Sequence, residues 1–144
     1  MNFIDAIKTC FKKYVKFEGR AARPEFWYFV LFYYAVLFLS GVFISQTELY
    51  GPGLIFIFAF GLIALLPYLG VTVRRLHDVN QPGYWVGIAL IASVVSRIPD
   101  LYFAGIISLI INVIILILCA QDGDKKNNRF GKNIYKKRKK KKVK

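Results

Sequence analysis

The sequence predicts an all-α membrane protein with four transmembrane helices, an N-terminal amphipathic interfacial helix and a disordered lysine-rich tail. Three observations support this fold class: an apolar composition, long uncharged runs, and basic residues gathered outside those runs. Of the 144 residues, 56% are hydrophobic and 20% are charged, whereas soluble domains are about 45–50% apolar and about 25% charged. The composition excludes a disordered chain, and two cysteines are too few for a disulfide scaffold.

Four apolar runs are predicted to span the bilayer, at about 26–46, 53–73, 83–98 and 101–120. A hydrocarbon core of about 30 Å needs roughly 20 helical residues. The third run is marginal, because only about 14 apolar residues separate Gly83 from Arg97, or about 21 Å of helix. It either spans with the Arg97 stem reaching back to the interface, or re-enters on the same side.

The basic residues predict the orientation. Of the 21 Lys and Arg residues, all except Arg97 lie before the first run, between the second and third, or after the fourth. Short loops rich in Lys and Arg stay in the cytoplasm, so both termini and the loop 74–82 are predicted to be cytoplasmic. The charged N-terminal stretch shows no cleavage signal, so the first span is predicted to act as an uncleaved anchor. Cys10 and Cys119 then lie at the cytoplasmic end, where thiols stay reduced.

Two segments outside the spans have distinctive patterns. Residues 3–18 place apolar side chains on one helical face and lysines on the other, as in helices that lie in the headgroup plane. The alternative is that this apolar stripe packs on the helical bundle. Gly19 is expected to end or turn the helix. Residues 132–144 form a polybasic cytoplasmic tail suited to anionic lipid or a purely topological role. Nucleic acid is not expected as a partner, because Tyr135 is the only aromatic residue available for base stacking.

Polar clusters lie beside the span ends on the predicted cytoplasmic side, and we expect them to meet there. The candidate binding or structural residues are Arg20, Arg23, Glu25, Trp27, Arg74, Arg75, His77, Asp78, Trp85, Asn128 and Arg129. Trp27 and Trp85 fit an interfacial aromatic belt.

The four arginines near the first and second spans have two interpretations. Their planar guanidinium groups suit a bidentate phosphate, such as a lipid headgroup, and the cluster is therefore expected to bind anionic lipid headgroups or an acidic partner. The alternative is that they pair with Glu18, Glu25 and Asp78 and fix the interfacial segments against the bundle. A single pair at a wet interface contributes about 0–1 kcal/mol, so a stabilising role needs a network.

Catalysis has weak support in the sequence. A small enzyme acting on a phosphate-bearing lipid-phase substrate through His77 and Asp78 is one alternative, although adjacent residues on a helix do not face each other. No catalytic motif or metal-ligand spacing is present, and no cofactor is expected.

Within the spans, three residues are predicted to make helix contacts. Asn112 is expected to form a hydrogen bond across helices, and Gly83 and Gly87 form a pair that suits close helix packing. Pro67 should free the carbonyl of Ile63 and kink the second span. A third hypothesis, a transporter or channel subunit, requires an oligomer. The expected partners are therefore membrane lipids and, in addition, a second copy of this chain or another membrane protein.

Three motifs together resemble the DUF805 family. They are the stretch from Phe17 to Trp27, the stretch from Val73 to Asp78 with 81–85 after it, and Asp122-Gly123 with the stretch from Asn128 to Gly131. Pro24, Gln81 and Pro82 depart from the usual pattern. The resemblance implies a multi-pass protein of the bacterial inner membrane with about four spans, a membrane domain at 1–131, and no established molecular function. It supplies no catalytic residue.

Overall fold

The computed structural model describes residues 1–47, 49–99 and 101–135. Within these ranges the regular elements are all helices: α1 (Phe3–Lys12), α2 (Arg23–Gln46), α3 (Tyr50–Asp78), α4 (Tyr84–Val95) and α5 (Tyr102–Ala120). The all-α prediction is confirmed for this part of the chain. The predicted disorder of the lysine block concerns residues 136–144, which lie outside the described residues.

Three of the helices are long and apolar enough to cross a membrane. These are α2 with 24 residues, α3 with 29 residues, and α5 over its 18 residues from Phe103 to Ala120. Each begins or ends within a few residues of its predicted span, except that α3 continues to Asp78. Arg74 and Arg75 are therefore helical. The sequence had suggested that they belong to a loop at 74–82, and this is wrong for these two residues.

The third predicted span, 83–98, is shorter than expected. α4 has 12 residues, or about 18 Å of helix, which is less than the roughly 30 Å of the hydrocarbon core. Single turns continue it, with the N–H groups of Ser96, Arg97 and Ile98 donating to carbonyls three or four residues back. Pro99 follows and has no N–H to donate, so the helical pattern ends there.

The amphipathic helix ends earlier than predicted, at Lys12 and not near residue 18. The chain beyond it turns at residues 13–15 and then runs along α3 without regular secondary structure, because α3 satisfies its backbone groups. Arg74 donates to the Lys16 carbonyl, and the Ala21 N–H donates to the Arg74 carbonyl at 2.9 Å. Gly19 makes the turn in this segment with φ of +85°, a conformation that glycine adopts at low cost.

One stripe of α1 packs on the bundle, which supports the alternative interpretation of this helix. Ala6 and Cys10 are fully buried, and Phe11 makes edge-to-face contacts with Phe29 and Phe32 of α2. Ile4, on another face of α1, is 61% exposed.

The helices form two hairpins that meet at one end. α2 packs mainly against α3, and α4 mainly against α5. The start of α2, the end of α3, the start of α4 and the end of α5 lie together, and we call this the polar end. The apolar core lies just beneath it and includes Phe26, Phe29, Val71, Leu76, Val86 and Cys119.

Within the described residues, the hydrogen bonds of Asn112 stay inside α5, and the predicted contact across helices is not formed. Its amide nitrogen donates to the Ser108 carbonyl of the same helix at 2.8 Å. The polar contact between α4 and α5 comes instead from the hydroxyls of Ser93 and Ser108, 3.1 Å apart.

The two glycines of the predicted pair behave differently. A Cβ atom at Gly83 would come within 2.6 Å of Val73 Cγ1 and 3.1 Å of His77 Nε2, so the start of α4 approaches α3 closely there. A Cβ atom at Gly87 would meet no atom of the described residues within 4 Å beyond the backbone of its own helix. The predicted packing role therefore applies to Gly83 and not to Gly87.

Pro67 lies inside α3 and leaves the Ile63 carbonyl without its usual helical donor, as predicted. The Tyr14 hydroxyl takes this place and donates to the Ile63 oxygen at 2.7 Å. A side chain from the segment after α1 thus donates to the carbonyl that Pro67 leaves free in α3.

We expect Tyr14→Phe to destabilise the protein by about 1 kcal/mol, the usual net value of one hydrogen bond. In a Pro67→Ala background the loss should shrink, because alanine, unlike proline, has an N–H to donate to the same carbonyl. Thermal unfolding in detergent measures both effects, and Tyr84→Phe is the control because Tyr84 is 63% exposed. An equal loss in both backgrounds would contradict this role for Tyr14.

Candidate functional site

Asp78, the last residue of α3, is the centre of a buried ionic cluster at the polar end. Its side chain has no exposed surface. The carboxylate accepts hydrogen bonds from the guanidinium groups of Arg20 and Arg75 and from the Tyr135 hydroxyl. These donors come from three distant parts of the chain, so one carboxylate joins the N-terminal segment (residues 13–22), α3 and the C-terminal segment (residues 121–135).

Arg20 connects the N-terminal segment to both of its neighbours. Its Nε lies 2.8 Å from Asp78 Oδ1, and Nη1 donates to the Lys126 carbonyl at 2.7 Å. Nη2 also donates to the Asp124 carbonyl. Because the side chain is 1% exposed, these internal acceptors replace the water that a free guanidinium group would bind.

Arg75 makes the corresponding connection to the end of α5. Nε donates to the Cys119 carbonyl at 3.0 Å, and Nη2 donates to the Gln121 carbonyl. The last carbonyls of a helix have no partner within the helix and carry partial negative charge. Arg75 therefore caps α5 while its Nη1 pairs with Asp78.

The C-terminal segment approaches Asp78 closely at Gly123. A Cβ atom there would overlap the Asp78 carboxylate and the Tyr135 hydroxyl, so only glycine fits without rearrangement. Burial, and secondarily the hydrogen bond to Asp78, raise the pKa of Tyr135. The Tyr135 hydroxyl consequently keeps its proton and serves as a donor to Asp78.

A second buried pair lies beside the first. Arg74 Nη2 is 3.1 Å from Glu25 Oε1, and Lys13 reaches the same oxygen at 3.4 Å. Arg74 Nη1 donates to the Lys16 carbonyl. Among the described residues, Arg74 Nε is the one buried side-chain nitrogen or oxygen without a hydrogen-bond partner.

His77 and Asp78 point to different partners, although they are adjacent in sequence. His77 Nδ1 lies 3.1 Å from the Gly19 carbonyl, so this nitrogen carries the proton. The ring stacks on Phe130 with centroids 3.9 Å apart, and Arg129 lies over the same phenyl ring. Asn128 donates to the His77 carbonyl at 2.8 Å. These contacts position the 121–135 segment and leave the Asp78 carboxylate to the arginines.

Arg23 differs from the other three arginines because it is partly exposed. Its Nε donates to the Gln121 carbonyl at 2.8 Å and Nη2 to the Ala120 carbonyl. Nη1 pairs with Asp122 at 2.8 Å, with side-chain exposures of 40% for Arg23 and 83% for Asp122. Arg23 is the member of the predicted arginine set that solvent or a lipid headgroup can reach.

The structure thus brings most residues of the predicted cluster together at the polar end. Some of them are buried there and others are exposed. Arg20, Arg74 and Arg75 are buried with Glu25 and Asp78, whereas Glu18 is exposed. Trp27 is 39% exposed on α2, and Trp85 is half-buried beside Tyr84.

Sequence reasoning missed Tyr14, Gly123 and Tyr135 as parts of this assembly. Gly123 follows Asp122 in a motif that carries the family resemblance, and that was the available signal for it. Tyr14 and Tyr135 had none, because a tyrosine near a membrane surface is common.

Removing the charge of Asp78 should have a large effect on stability. Truncating one partner of a buried ion pair costs about 3–5 kcal/mol, which is a large share of the roughly 5–15 kcal/mol that stabilises a typical domain. We expect Asp78→Asn to lower the thermal unfolding midpoint in detergent strongly and to make the buried Cys119 thiol reactive. Asp122→Asn is the matched control, expected within about 0.5 kcal/mol of wild type. Equal unfolding midpoints for the two variants would contradict the central position of Asp78.

The comparisons with known proteins agree with the membrane character of the fold. Residues 14–132 match the family described as "Protein of unknown function (DUF805)". The Escherichia coli strain K12 inner membrane protein YhaH is 31% identical over 123 residues, covering 83% of this chain and 88% of YhaH. Inner membrane protein YhaI of the same strain is 32% identical over 122 residues, covering 83% and 86% of the two chains. No solved structure matches. The chain therefore belongs to the DUF805 family, whose curated relatives are inner membrane proteins.

Proposed function

We propose that this chain is a non-enzymatic protein of the inner membrane that binds anionic lipid headgroups at its polar end, which faces the cytoplasm. The observation that carries the proposal is the separation of the cations by exposure. The guanidinium groups of Arg20, Arg74 and Arg75 donate to acceptors inside the protein. Further lysines and arginines at the same end remain exposed.

The exposed cations lie on the C-terminal segment 121–135, which the buried cluster holds in place, and on α1. On the C-terminal segment they are Lys125, Lys126, Arg129 and Lys132. α1 adds Lys8 and Lys12, beside apolar side chains that remain exposed. A basic surface next to exposed apolar side chains suits the headgroup region of a negatively charged leaflet.

The buried cluster has a supporting role in this proposal. Transferring a guanidinium group out of water costs several kcal/mol, which an ion pair and further hydrogen bonds must offset. A phosphate would have to displace Asp78 or Glu25 to reach these side chains. The buried arginines therefore order the surface that carries the exposed ones.

Catalysis through His77 and Asp78 gains no support from the geometry. The Asp78 carboxylate accepts from Arg20, Arg75 and Tyr135, and the His77 ring is covered on one face by Phe130. A general base needs an accessible lone pair within hydrogen-bond reach of a substrate, and the Asp78 side chain has no exposed surface.

The orientation gives a first prediction for this proposal. If the α4–α5 hairpin crosses the membrane, an impermeant maleimide should label Arg97→Cys from outside intact spheroplasts and should leave Lys132→Cys unlabelled until the membrane is opened. The native thiols should remain unlabelled. Cys119 is fully buried, and burial, with Glu25 nearby, raises the pKa of Cys10 to about 12. Labelling of Lys132→Cys from outside would contradict the proposed orientation.

Headgroup binding gives the second prediction. We expect the full-length protein, reconstituted in phosphatidylcholine, to restrict spin-labelled phosphatidylglycerol more than spin-labelled phosphatidylcholine in electron paramagnetic resonance spectra. The triple variant Lys125→Gln/Lys126→Gln/Lys132→Gln should lose this preference by at least about fivefold, since one basic residue in contact contributes about 1 kcal/mol.

The matched control replaces the same three lysines with arginine, which keeps the charge. It should retain the wild-type preference, and salt at about 1 M should reduce the preference in both proteins, since the screening length falls to about 3 Å. Equal phosphatidylglycerol preference in wild type and the glutamine variant at low salt would refute the proposed binding surface.

A further inference from the structure

A cavity of about 560 Å³ lies between the α2–α3 hairpin and the α4–α5 hairpin. Its volume falls within the roughly 300–1,000 Å³ of typical ligand sites. All four long or medium helices contribute to its wall, through residues such as Trp27, Val30 and Tyr34 of α2, Leu69 of α3, Leu90 of α4 and Leu116 of α5.

The wall is mainly aromatic and aliphatic, and several of its polar atoms are already bonded within their own helices. The Thr72 hydroxyl donates to the Tyr68 carbonyl, and the Ser93 hydroxyl donates to the Ala89 carbonyl. The Asn112 amide nitrogen is bonded to the preceding turn of α5. Such a wall suits a hydrocarbon chain better than a polar solute.

Arg23 stands at the end of this cavity nearest the polar end. Residues 23, 27, 30 and 34 follow helical spacing and therefore share one face of α2, and the last three of them line the cavity. On the opposite wall, Leu116 lies one turn before Ala120, whose carbonyl accepts from Arg23. The distance along α2 from Trp27 to Tyr34 is about 10 Å at 1.5 Å per residue.

The guanidinium group of Arg23 retains donors for an anion. It has five N–H bonds, and two of them donate to the Gln121 and Ala120 carbonyls, while Nη1 forms an ion pair with Asp122. The terminal nitrogens keep N–H groups that donate to no carbonyl, and a phosphate takes a pair of such donors in a bidentate arrangement. Asp122 is 83% exposed in its side chain, so it is easily displaced.

We propose that this cavity holds one acyl chain of an anionic phospholipid whose phosphate binds Arg23. The inference rests on the proposed function and assigns a defined lipid site to it. Arg23 lies at the end of the cavity nearest the polar end, and the apolar wall extends about 10 Å along α2 from there. A phospholipid has the same order, with a charged headgroup followed by an apolar chain.

Fluorescence quenching tests the site, because Trp27 lines it. In a Trp85→Phe background, Trp27 is the remaining tryptophan, and acyl-brominated phosphatidylglycerol titrated into phosphatidylcholine vesicles should quench it with saturation at low mole fraction. Arg23→Gln should weaken the apparent association about fivefold, the effect of one half-exposed charge pair. Free inorganic phosphate should not reverse the quenching, because it supplies no acyl chain.

Two further variants separate the alternatives. Asp122→Asn should strengthen association, because it removes the competitor for Arg23. Weaker association of phosphatidylglycerol in that variant, or stronger quenching by brominated phosphatidylethanolamine than by phosphatidylglycerol in the parent, would overturn the assignment of an anionic lipid. In the latter case the Arg23–Asp122 pair would instead match a zwitterionic headgroup.

The cavity itself is tested by filling it. Leu90→Phe/Leu116→Phe should abolish the saturable quenching, while Val94→Phe/Val113→Phe, at positions outside the cavity lining on the same two helices, should leave it unchanged. Thermal unfolding in detergent checks that both variants fold. If both retain saturable quenching, the acyl-chain site is refuted, whereas the wider headgroup preference is tested separately by the lysine variants.

Discussion

The structure depends on neutralising three guanidinium groups that are buried at the polar end of the helical bundle. Two carboxylates, Asp78 and Glu25, supply the negative charge, and backbone carbonyls supply the remaining acceptors. Because a buried cation without partners is so costly, the segments that carry these carbonyls must be in place whenever the arginines are buried. The ionic cluster therefore determines the path of chain that has no regular secondary structure.

This constraint explains why the polar end is ordered although much of it is neither helix nor strand. The segment 13–22 lies along α3 because Arg74 and His77 bond to its carbonyls. The segment 121–135 folds back because Arg20, Arg75 and Asp78 take its carbonyls and the Tyr135 hydroxyl. The segment 121–135 carries three exposed lysines and the segment 13–22 carries exposed Lys16, so the buried cations order part of the surface on which we propose that anionic lipid binds.

The composition of the candidate site was predictable, and its division into buried and exposed members was not. Basic residues near span ends on one predicted side implied that Arg20, Arg74, Arg75 and Asp78 would meet. Consecutive arginines on a helix point about 100° apart, which suggests that one of Arg74 and Arg75 should face solvent. Both are buried, because the N-terminal segment covers Arg74 and the C-terminal segment covers Arg75.

The sequence alone determined that the chain is helical and membrane-bound and approximately where the three long spans lie, because hydropathy and helical length are properties of contiguous residues. It also located the freed carbonyl of Ile63, since proline acts on its own helix. Only the tertiary structure decided where α1 ends, what repairs the break at Pro67, and which arginines remain exposed. Those outcomes depend on contacts between residues tens of positions apart, whose geometry local patterns do not contain.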